Sequence, residues 1–406
     1  MIAETNKNKS FNRLQVTLSA VSHFITDIYQ AFIVGLIPLL TIKFGLSLFQ
    51  IALLTATSVI ANSFFSPVFG FFSDRHGIKY FLIIGPLVTS VFLSLLGIIP
   101  NYYLLIICLF IGNLGIAAYH PASAAVAGYF GGSRKAVSSS IINFGGNFGN
   151  ALGVLIIILI VENIDMKFTP AAMIPGIIIV IVLLKYAFSS VNKSSRLSIH
   201  RFTSKLKSVS RKKIYLLGLI LFCIYTLYIL WITLFTYMPL YYTGMGLPLI
   251  SAGAVMFLFN MLGGAAGMIS GWLFDRFKKG IYIIQAGFIS AIPLLYFTFR
   301  APATISIFLF ILGGIFLISV QPVCIRLTQD LLPGSMSFAS SLILGFAPGL
   351  AGITMIFLGK AADRIGINML VHLELILAAF TVLVLFIFAI VSKMNLLQGR
   401  SKSGYL

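Results

Sequence analysis

Long apolar segments alternate with short polar connections along the chain. The apolar segments contain about 20 residues or more, which as helices is enough to cross roughly 30 Å of hydrocarbon. Polar residues, glycine and proline are concentrated in the connections. The pattern predicts twelve spans, numbered 1 to 12 here, near residues 15–42, 47–72, 79–99, 103–129, 136–161, 168–190, 214–242, 248–274, 279–299, 303–328, 335–359 and 368–392.

The composition indicates a membrane protein and excludes an ordinary soluble one. Hydrophobic residues make up 59% of the 406 residues and charged residues only 9%, whereas soluble proteins average roughly 25% charged residues. Span 1 is too long for the apolar region of a cleavable signal, so we expect it to be retained. The three cysteines lie inside apolar segments at spacings typical of neither a metal site nor a disulfide framework. We predict no metal and no cofactor.

The basic residues predict an orientation. The net charge is +19, but the basic residues lie between apolar segments, so they indicate topology signals and lipid contacts rather than nucleic-acid binding. Of the 28 lysines and arginines, one predicted side of the membrane holds five, which leaves 23 for the other; the five are Lys43, Lys167, Arg300, Lys360 and Arg364. The positive-inside rule therefore predicts cytoplasmic termini for a multi-pass protein of the plasma (inner) membrane. We expect it to be a monomer.

A basic linker at 191–213 divides the chain into a bundle at 1–190 and a bundle at 214–406. Apolar residues recur in this linker at helical spacing between the basic residues. The linker is therefore either a short amphipathic helix on the inner leaflet or a disordered tether.

The two halves form an internal repeat. Shifting the chain by 201 residues aligns several structurally demanding positions, among them Pro38 with Pro239 and Pro121 with Pro322. One offset without a gap predicts an all-α membrane protein with twelve transmembrane helices in two pseudo-symmetric six-helix bundles. Transporters that rock two bundles about a midplane site have this arrangement.

A short motif recurs after spans 2 and 8. It consists of Gly70, Asp74 and Arg75 in the first half and of Gly271, Asp275 and Arg276 in the second. This motif resembles the signature loop of the major facilitator superfamily, whose fold places span 2 beside span 11. The acid can face a helix N-terminus there and act in gating. The alternative is a charge pair that only sets topology.

Further motifs resemble the fosmidomycin-resistance branch of that superfamily. They contain Ser22, His23 and Asp27, then His120 and Pro121, Gly145 to Gly149, Gln329 to Pro333, and Gly359 to Gly366. The resemblance covers nearly the whole chain and implies a proton-driven exporter of small drug-like or phosphonate-like molecules. The chain differs from that branch at Ala122, where the branch usually has glutamate after His-Pro.

Ionisable residues inside spans are candidates for function, because each costs roughly 2.5–3.5 kcal/mol at a helix centre on insertion scales. His23, Asp27 and Gln30 fall on one face of span 1. Asp27 lies near the bilayer midplane, and the repeat pairs it with Tyr228, so the acid belongs to one half only. We predict that it couples protons or substrate, with a buried packing strut as the alternative.

Other polar residues are candidates for the same pathway. His120 precedes Pro121 inside span 4, and Gln321 is its counterpart in the repeat. Arg326 and Asp330 are four residues apart, which favours an ion pair, although Arg326 could instead meet an anionic substrate. We place Glu374 at the outer interface, without a role.

Span 5 separates glycines from asparagines. Gly145, Gly149 and Gly153 form a ridge typical of close helix packing, and span 8 offers Gly263 and Gly267. We therefore predict that spans 5 and 8 meet through these ridges. Asn143 and Asn147 are then candidates for a cavity lining, and hydrogen bonds between helices are their alternative.

The sequence lacks the motifs of three common enzyme classes. The sequence contains no P-loop, HExxH or GxSxG motif. We predict a secondary transporter, proton-coupled and exporting a small molecule by alternating access. The alternatives are a proton-coupled importer of a small organic solute and a membrane sensor that does not transport.

Overall fold

The computed structural model describes residues 11–132, 134–186, 211–332 and 340–397. Within these ranges almost every residue is helical and no β-strand is present. Eleven helical stretches are long and apolar enough to cross a membrane, and the longest, Leu342–Val391, contains 50 residues. The predicted all-α membrane fold is therefore confirmed. The linker at 191–210 lies outside the described residues.

Twelve helices account for the apolar segments of the described chain. They are α1 (Arg13–Phe44), α2 (Leu48–His76), α3 (Ile78–Ser94), α4 (Tyr102–Phe130), α5 (Lys135–Asn163), α6 (Met173–Tyr186), α7 (Arg211–Gly244), α8 (Leu249–Phe277), α9 (Gly280–Thr298), α10 (Ala303–Leu331), α11 (347–365) and α12 (367–397). Each corresponds to one predicted span.

Two irregularities divide the longest helical stretches. Ala31 interrupts α1 between Arg13–Gln30 and Phe32–Phe44. Gly366 separates α11 from α12 with φ 78° and ψ 165°, a conformation essentially restricted to glycine. The predicted connection at 360–367 is therefore wrong for most of its length, since α11 stays helical to residue 365.

The recurring motifs after spans 2 and 8 are helical rather than looped. Asp74 lies in the last turn of α2, which ends at His76 and is followed by Gly77 with φ 106°. Asp275 lies in the last turn of α8, before Lys278 with φ 55°. The predicted ends of both spans were too early, because the charged residues extend the helices instead of ending them.

The chain divides into two compact units. Unit 1 comprises Met1–Leu46, Leu54–Leu197 and Pro248–Phe257, and unit 2 comprises Ser47–Leu53, Ser198–Leu247 and Leu258–Leu406. The first turns of α2 and α8 thus belong to the unit opposite to the rest of their helices. The predicted domain boundary at the linker stays a prediction.

The glycine ridge of α5 packs against α1 within unit 1. A Cβ atom at Gly145, Gly149 or Gly153 would collide with the carbonyl oxygens of Ala20, Phe24 and Ile28, respectively. The α5 glycines and the α1 carbonyls that they face both recur every four residues, so the two backbones are in contact at three successive positions.

The glycines of α8 pack within unit 2, against α10. Gly263 faces Ile318, and Gly267 faces Pro322. Spans 5 and 8 do meet within unit 1, where a Cβ atom at Gly253 of α8 would collide with Ile158 of α5. The prediction that they meet through the Gly145 and Gly263 ridges is wrong. Small residues show that a helix packs closely, but they do not identify its partner.

The first turn of α2 is held by α7 and α11 in unit 2. The Tyr237 hydroxyl donates to the Leu48 carbonyl at 2.8 Å, and the Phe49 amide donates to Asp363 Oδ1 at 3.2 Å. Asp363 therefore satisfies an amide at a helix N-terminus, which otherwise has no partner within its helix.

Candidate functional site

A buried carboxylate lies between two histidines in unit 1. Asp27 is on the first segment of α1 and is 7% exposed. Its Oδ2 atom lies 3.3 Å from His23 Nε2, and its Oδ1 atom lies 3.0 Å from His120 Nε2. The structure therefore brings together three of the predicted residues, and we call them the Asp27 cluster.

The backbone of α5 fixes the ring of His23. His23 Nδ1 lies 3.0 Å from the Ile142 carbonyl oxygen, which can only accept, so Nδ1 carries a hydrogen and donates it. A neutral His23 would then turn an unprotonated Nε2 towards the Asp27 carboxylate. Because two acceptors repel at 3.3 Å, this contact requires a proton between them. The arrangement is therefore suited to a proton shared between His23 and Asp27.

His120 connects Asp27 to the surface of the unit. Its side chain is 29% exposed, against 10% for Asp27. The residue lies on α4 next to Pro121, which removes a backbone donor inside the helix. His120 is therefore the most exposed member of the cluster, and its Nε2 atom lies within hydrogen-bonding distance of Asp27.

Gly146 provides the space that the cluster occupies. A Cβ atom at this position would lie 2.5 Å from His23 Nε2 and 2.7 Å from Asp27 Oδ2, closer than real Cβ contacts. The adjacent Gly145 faces α1. Both glycines therefore face α1, Gly145 towards its backbone and Gly146 towards the His23 and Asp27 side chains, and sequence reasoning assigned only Gly145.

A buried hydroxyl network supports the cluster from the side of α4. The Tyr119 ring centroid is 5.5 Å from that of His23. The Tyr119 hydroxyl lies 2.5 Å from Ser22 Oγ and donates to the Ser19 carbonyl at 3.0 Å. Ser19 Oγ in turn bonds to Ser123 at 3.1 Å. Sequence reasoning missed this network, because isolated serines in an apolar segment give no signal.

The three cluster residues could also meet a cation. Their donor atoms lie within 4.8 Å of one another, and two imidazoles with a carboxylate are ligands that transition metals accept. The same atoms already form direct nitrogen–oxygen contacts in the structure, which suits proton sharing. The expected absence of a metal stays a prediction.

The repeat places a related pair in unit 2. Tyr228 on α7 and Gln321 on α10 are the counterparts of Asp27 and His120 under the 201-residue shift. Gln321 Nε2 donates to the Tyr228 hydroxyl at 2.7 Å. The contact therefore exists in both units, but only unit 1 builds it from an acid and a base.

Three predicted polar residues have no recorded bond to the cluster. Gln30 is half-buried at the end of the first segment of α1. Asn143 and Asn147 are exposed on α5, one turn apart. Within the described ranges they are polar groups open to a ligand, and their role stays a prediction.

Arg326 and Asp330 lie close together on α10. Arg326 Nη2 is 3.5 Å from Asp330 Oδ1, and the Arg326 side chain is exposed. The geometry agrees with the ion-pair interpretation. An exposed arginine also keeps donors free to contact an anion.

The predicted gating residues lie at the ends of α2 and α8. Asp74 and Arg75 are exposed. Asp275 pairs with Lys278 at 3.4 Å, and the Arg276 guanidinium lies over the Trp272 ring at 5.4 Å. Residues 333–339, which precede the π-helical turn Leu342–Phe346 and α11, lie outside the described residues, so gating stays a prediction.

The expectation that Glu374 is exposed at the outer interface was wrong. Glu374 on α12 is only 4% exposed, and Thr233 on α7 donates a 2.6 Å hydrogen bond to its Oε1 atom. Its position near the predicted end of span 12 suggested exposure to headgroups. Packing of α12 against α7 buries it instead, and only tertiary structure could show this.

Comparisons with known proteins agree with this architecture. A sequence profile of the Major Facilitator Superfamily matches residues 19–347. The fosmidomycin resistance protein of Escherichia coli (strain K12) is 26% identical over 371 residues, which cover 91% of each chain. An uncharacterized MFS-type transporter of Bacillus subtilis (strain 168), YfnC, is 26% identical over 367 residues and 86% of each chain.

Solved structures with the same fold have little sequence identity to this chain. A bacterial homolog of the human lysosomal transporter Spinster, in an inward-facing and occupied conformation, has a TM-score of 0.74 at 12% identity, covering 92% of this chain and 95% of that one. A D-xylose–proton symporter has a TM-score of 0.70 at 16% identity, covering 91% and 95%. These likenesses concern the fold alone.

Proposed function

Since the chain belongs to the Major Facilitator Superfamily, a family of membrane transporters rather than enzymes, we propose that it couples proton movement to export of a small molecule. The observation that carries the proposal is the contact between His23 Nε2 and Asp27 Oδ2, with His23 Nδ1 committed to the Ile142 carbonyl. This contact is stable only with a proton in it.

Protonation changes the charge of the Asp27 cluster and therefore its geometry. With one proton shared between the histidines and the carboxylate, the cluster is neutral overall. Without that proton, a single negative charge is buried and the His23 lone pair faces it. Because an uncompensated buried charge is costly, loss of the proton favours rearrangement of α1 relative to α4 and α5. Proton occupancy can thus select between two arrangements of unit 1.

Our proposal for the substrate and for the direction of transport rests on a relative. The fosmidomycin resistance protein, at 26% identity, supports export of a phosphonate-like or drug-like molecule. The main alternative is import by proton symport, which the same cluster would serve if substrate and proton were released on the same side. A sensor without transport is the second alternative.

We propose as candidate substrate contacts several polar side chains, each exposed or half-buried within its own unit. Asn143 and Asn147 offer amides on α5, and Gln321 with Tyr228 offers a hydrogen-bonding pair in unit 2. Arg326, exposed beside Asp330, offers a charge for an anionic group such as a phosphonate.

We extend the proposal to gating and topology. Asp74 and Arg75, with Asp275 and Arg276, would control closure on the cytoplasmic side. The protein would act as a monomer in the inner membrane, with both termini in the cytoplasm.

Cysteine labelling from the cytoplasm should increase in Asp74→Ala, because closure on that side would be weakened. Unchanged labelling would leave these residues with a topological role only.

Everted membrane vesicles with an acidic interior test the function directly. Fosmidomycin is the probe, and a pH-sensitive dye reports the proton gradient. An exporter that exchanges protons for substrate will take fosmidomycin into the vesicles and discharge the gradient. A symporter will instead require the opposite gradient, and a sensor will give no uptake with either. The control Glu162→Gln changes an exposed glutamate on α5 and should leave uptake unchanged.

A further inference from the structure

Glu374 is a buried acid that the proposed proton pathway does not use. It belongs to unit 2, on α12, whereas the Asp27 cluster lies in unit 1. Thr233 donates to Oε1 at 2.6 Å, while Oε2 is buried without a hydrogen-bond partner. An ionised carboxylate has about four acceptor sites to satisfy. The single hydrogen bond from Thr233 is therefore far less than the charged form needs.

The groups around Glu374 are neutral. Thr233 is fully buried and also contacts the sulfur of Met355 on α11 at 3.5 Å. Among the described residues, no lysine, arginine or histidine lies within 4.0 Å of the carboxylate. Burial of a charged carboxylate without a cation is unfavourable, and a group in this position binds a proton instead.

The other titratable groups nearby are committed elsewhere. Tyr237 on α7 donates its hydroxyl hydrogen to the Leu48 carbonyl. Asp363 on α11 accepts from the Phe49 amide. His372 on α12 and Arg300 after α9 contact each other at 3.1 Å between His372 Nε2 and Arg300 Nη1. None of these contacts supplies a hydrogen or a counter-charge to Oε2.

We propose that Glu374 is a second proton-binding site, in unit 2, which holds an exchangeable proton on Oε2 while Oε1 accepts from Thr233. The protein would thus bind protons in both units, at a histidine–aspartate cluster in one and at a single carboxylic acid in the other. The role of this proton in transport rests on the proposed function, whereas its binding does not.

The site lies next to the residues that hold the first turn of α2. Tyr237 is one turn beyond Thr233 on α7, and its hydroxyl binds Leu48. Movement of this turn would change the surroundings of Glu374 and open a route for its proton. A packing strut would have no need to exchange its proton, so exchange distinguishes the two roles.

Infrared difference spectroscopy of the purified protein in liposomes tests the binding without any substrate. The C=O stretch of a protonated carboxylic acid is separate from the bands of a carboxylate. At neutral pH we expect this stretch in the wild-type protein, a shift in D₂O as the proton exchanges, and a reversible loss at alkaline pH. Glu374→Gln should remove it, while Asp27→Asn and Glu162→Gln should retain it.

A second variant keeps the assignment testable if Glu374→Gln does not fold. Thr233→Val retains the acid but removes the hydrogen bond to Oε1, so the C=O stretch should move to higher frequency. The proposal is overturned if the band survives in a folded Glu374→Gln, is absent from the wild type, or neither exchanges in D₂O nor responds to pH. Failure of fosmidomycin transport would not affect these results, so the two proposals fail separately.

Discussion

The Ile142 carbonyl determines what the His23 side chain can do. By accepting from Nδ1, it leaves only Nε2 for the Asp27 carboxylate, and therefore makes that contact depend on a proton. A histidine free to rotate would relieve the repulsion by turning its ring. At the residue scale, the proposed proton binding thus depends on a backbone atom that no side-chain motif reveals.

Asp27→Asn should abolish coupling while leaving substrate exchange. The amide keeps the size and much of the hydrogen bonding of the carboxylate but cannot ionise. One charge moving through 100 mV provides about 2.3 kcal/mol, or roughly a 50-fold gradient. We expect accumulation in everted vesicles to fall from that range to no gradient, while counterflow of labelled fosmidomycin remains. Accumulation with wild-type dependence on the proton gradient would place the carrier elsewhere, with Glu374 as the next candidate.

Gly146→Ala should impair coupling more than it impairs folding. The added methyl group meets the far ends of the His23 and Asp27 side chains, which can move, so the protein can fold with a displaced cluster. We expect gradient-driven uptake to fall at least tenfold with a small change in apparent Tm. The matched control is Gly128→Ala on α4, whose added Cβ meets nothing within 4 Å. Equal uptake by the two variants would contradict the described geometry.

The pair formed by His23 and Asp27 was predictable from sequence, because the two residues are close together along the chain. His23 and Asp27 are four residues apart on one helix, and an acid inside an apolar segment is conspicuous. His120 joins them across 93 residues through the packing of α1 against α4, so its contact could only be suspected. Gly146 was missed because a glycine shows its purpose only when its neighbours are known.

At the scale of helices, backbone proximity holds unit 1 together. Gly145, Gly149 and Gly153 let the backbone of α5 approach the carbonyls of α1, where weak Cα–H···O contacts are favourable. The same approach positions Ile142 on α5 to reach His23 on α1. The ridge therefore contributes to packing and positions a residue of the proposed proton-binding site.

Gly149→Ala should destabilise the protein, because its neighbour is backbone. The new methyl group would overlap the Phe24 carbonyl, and α5 would have to move away from α1. Overpacking of this kind costs about 1–3 kcal/mol. We expect a lower apparent Tm in detergent than for the wild type or for Gly128→Ala. A Tm equal to that of Gly128→Ala would show that α1 and α5 are less closely packed than described.

The number of helices was predictable, but their irregularities were not. Apolar length alone identifies twelve spans, because hydrocarbon thickness sets a minimum. The interruption at Ala31 has no glycine or proline to announce it. Gly366, in contrast, separates two helices, but the charged residues Lys360, Asp363 and Arg364 before it suggested that the first helix ended earlier. Such features depend on local packing rather than on hydropathy.

Over the whole molecule, the repeat explains which contacts recur and which differ. Asp27–His120 and Tyr228–Gln321 occupy corresponding positions and are each separated by 93 residues. Conservation of the contact with different chemistry indicates that the helix packing is common to both halves. In our proposals, ionisable groups act at this position in unit 1 and at Glu374 in unit 2. The 201-residue shift identified Tyr228 and Gln321 as counterparts, and their contact follows from it once the Asp27–His120 contact is known.

Orientation in the membrane is a property of the whole chain and can be tested on it. With 23 of 28 basic residues on one predicted side of the membrane, reversal would require moving many charges across the bilayer against the positive-inside preference. In a variant with the three buried cysteines replaced by alanine, Ser194→Cys should react with a membrane-impermeant maleimide only after the cells are permeabilised. Asn163→Cys, at the exposed end of α5, should react in intact cells. The opposite pattern would place both termini outside and reverse the direction assigned to transport, whereas labelling of both positions in intact cells would contradict a single orientation.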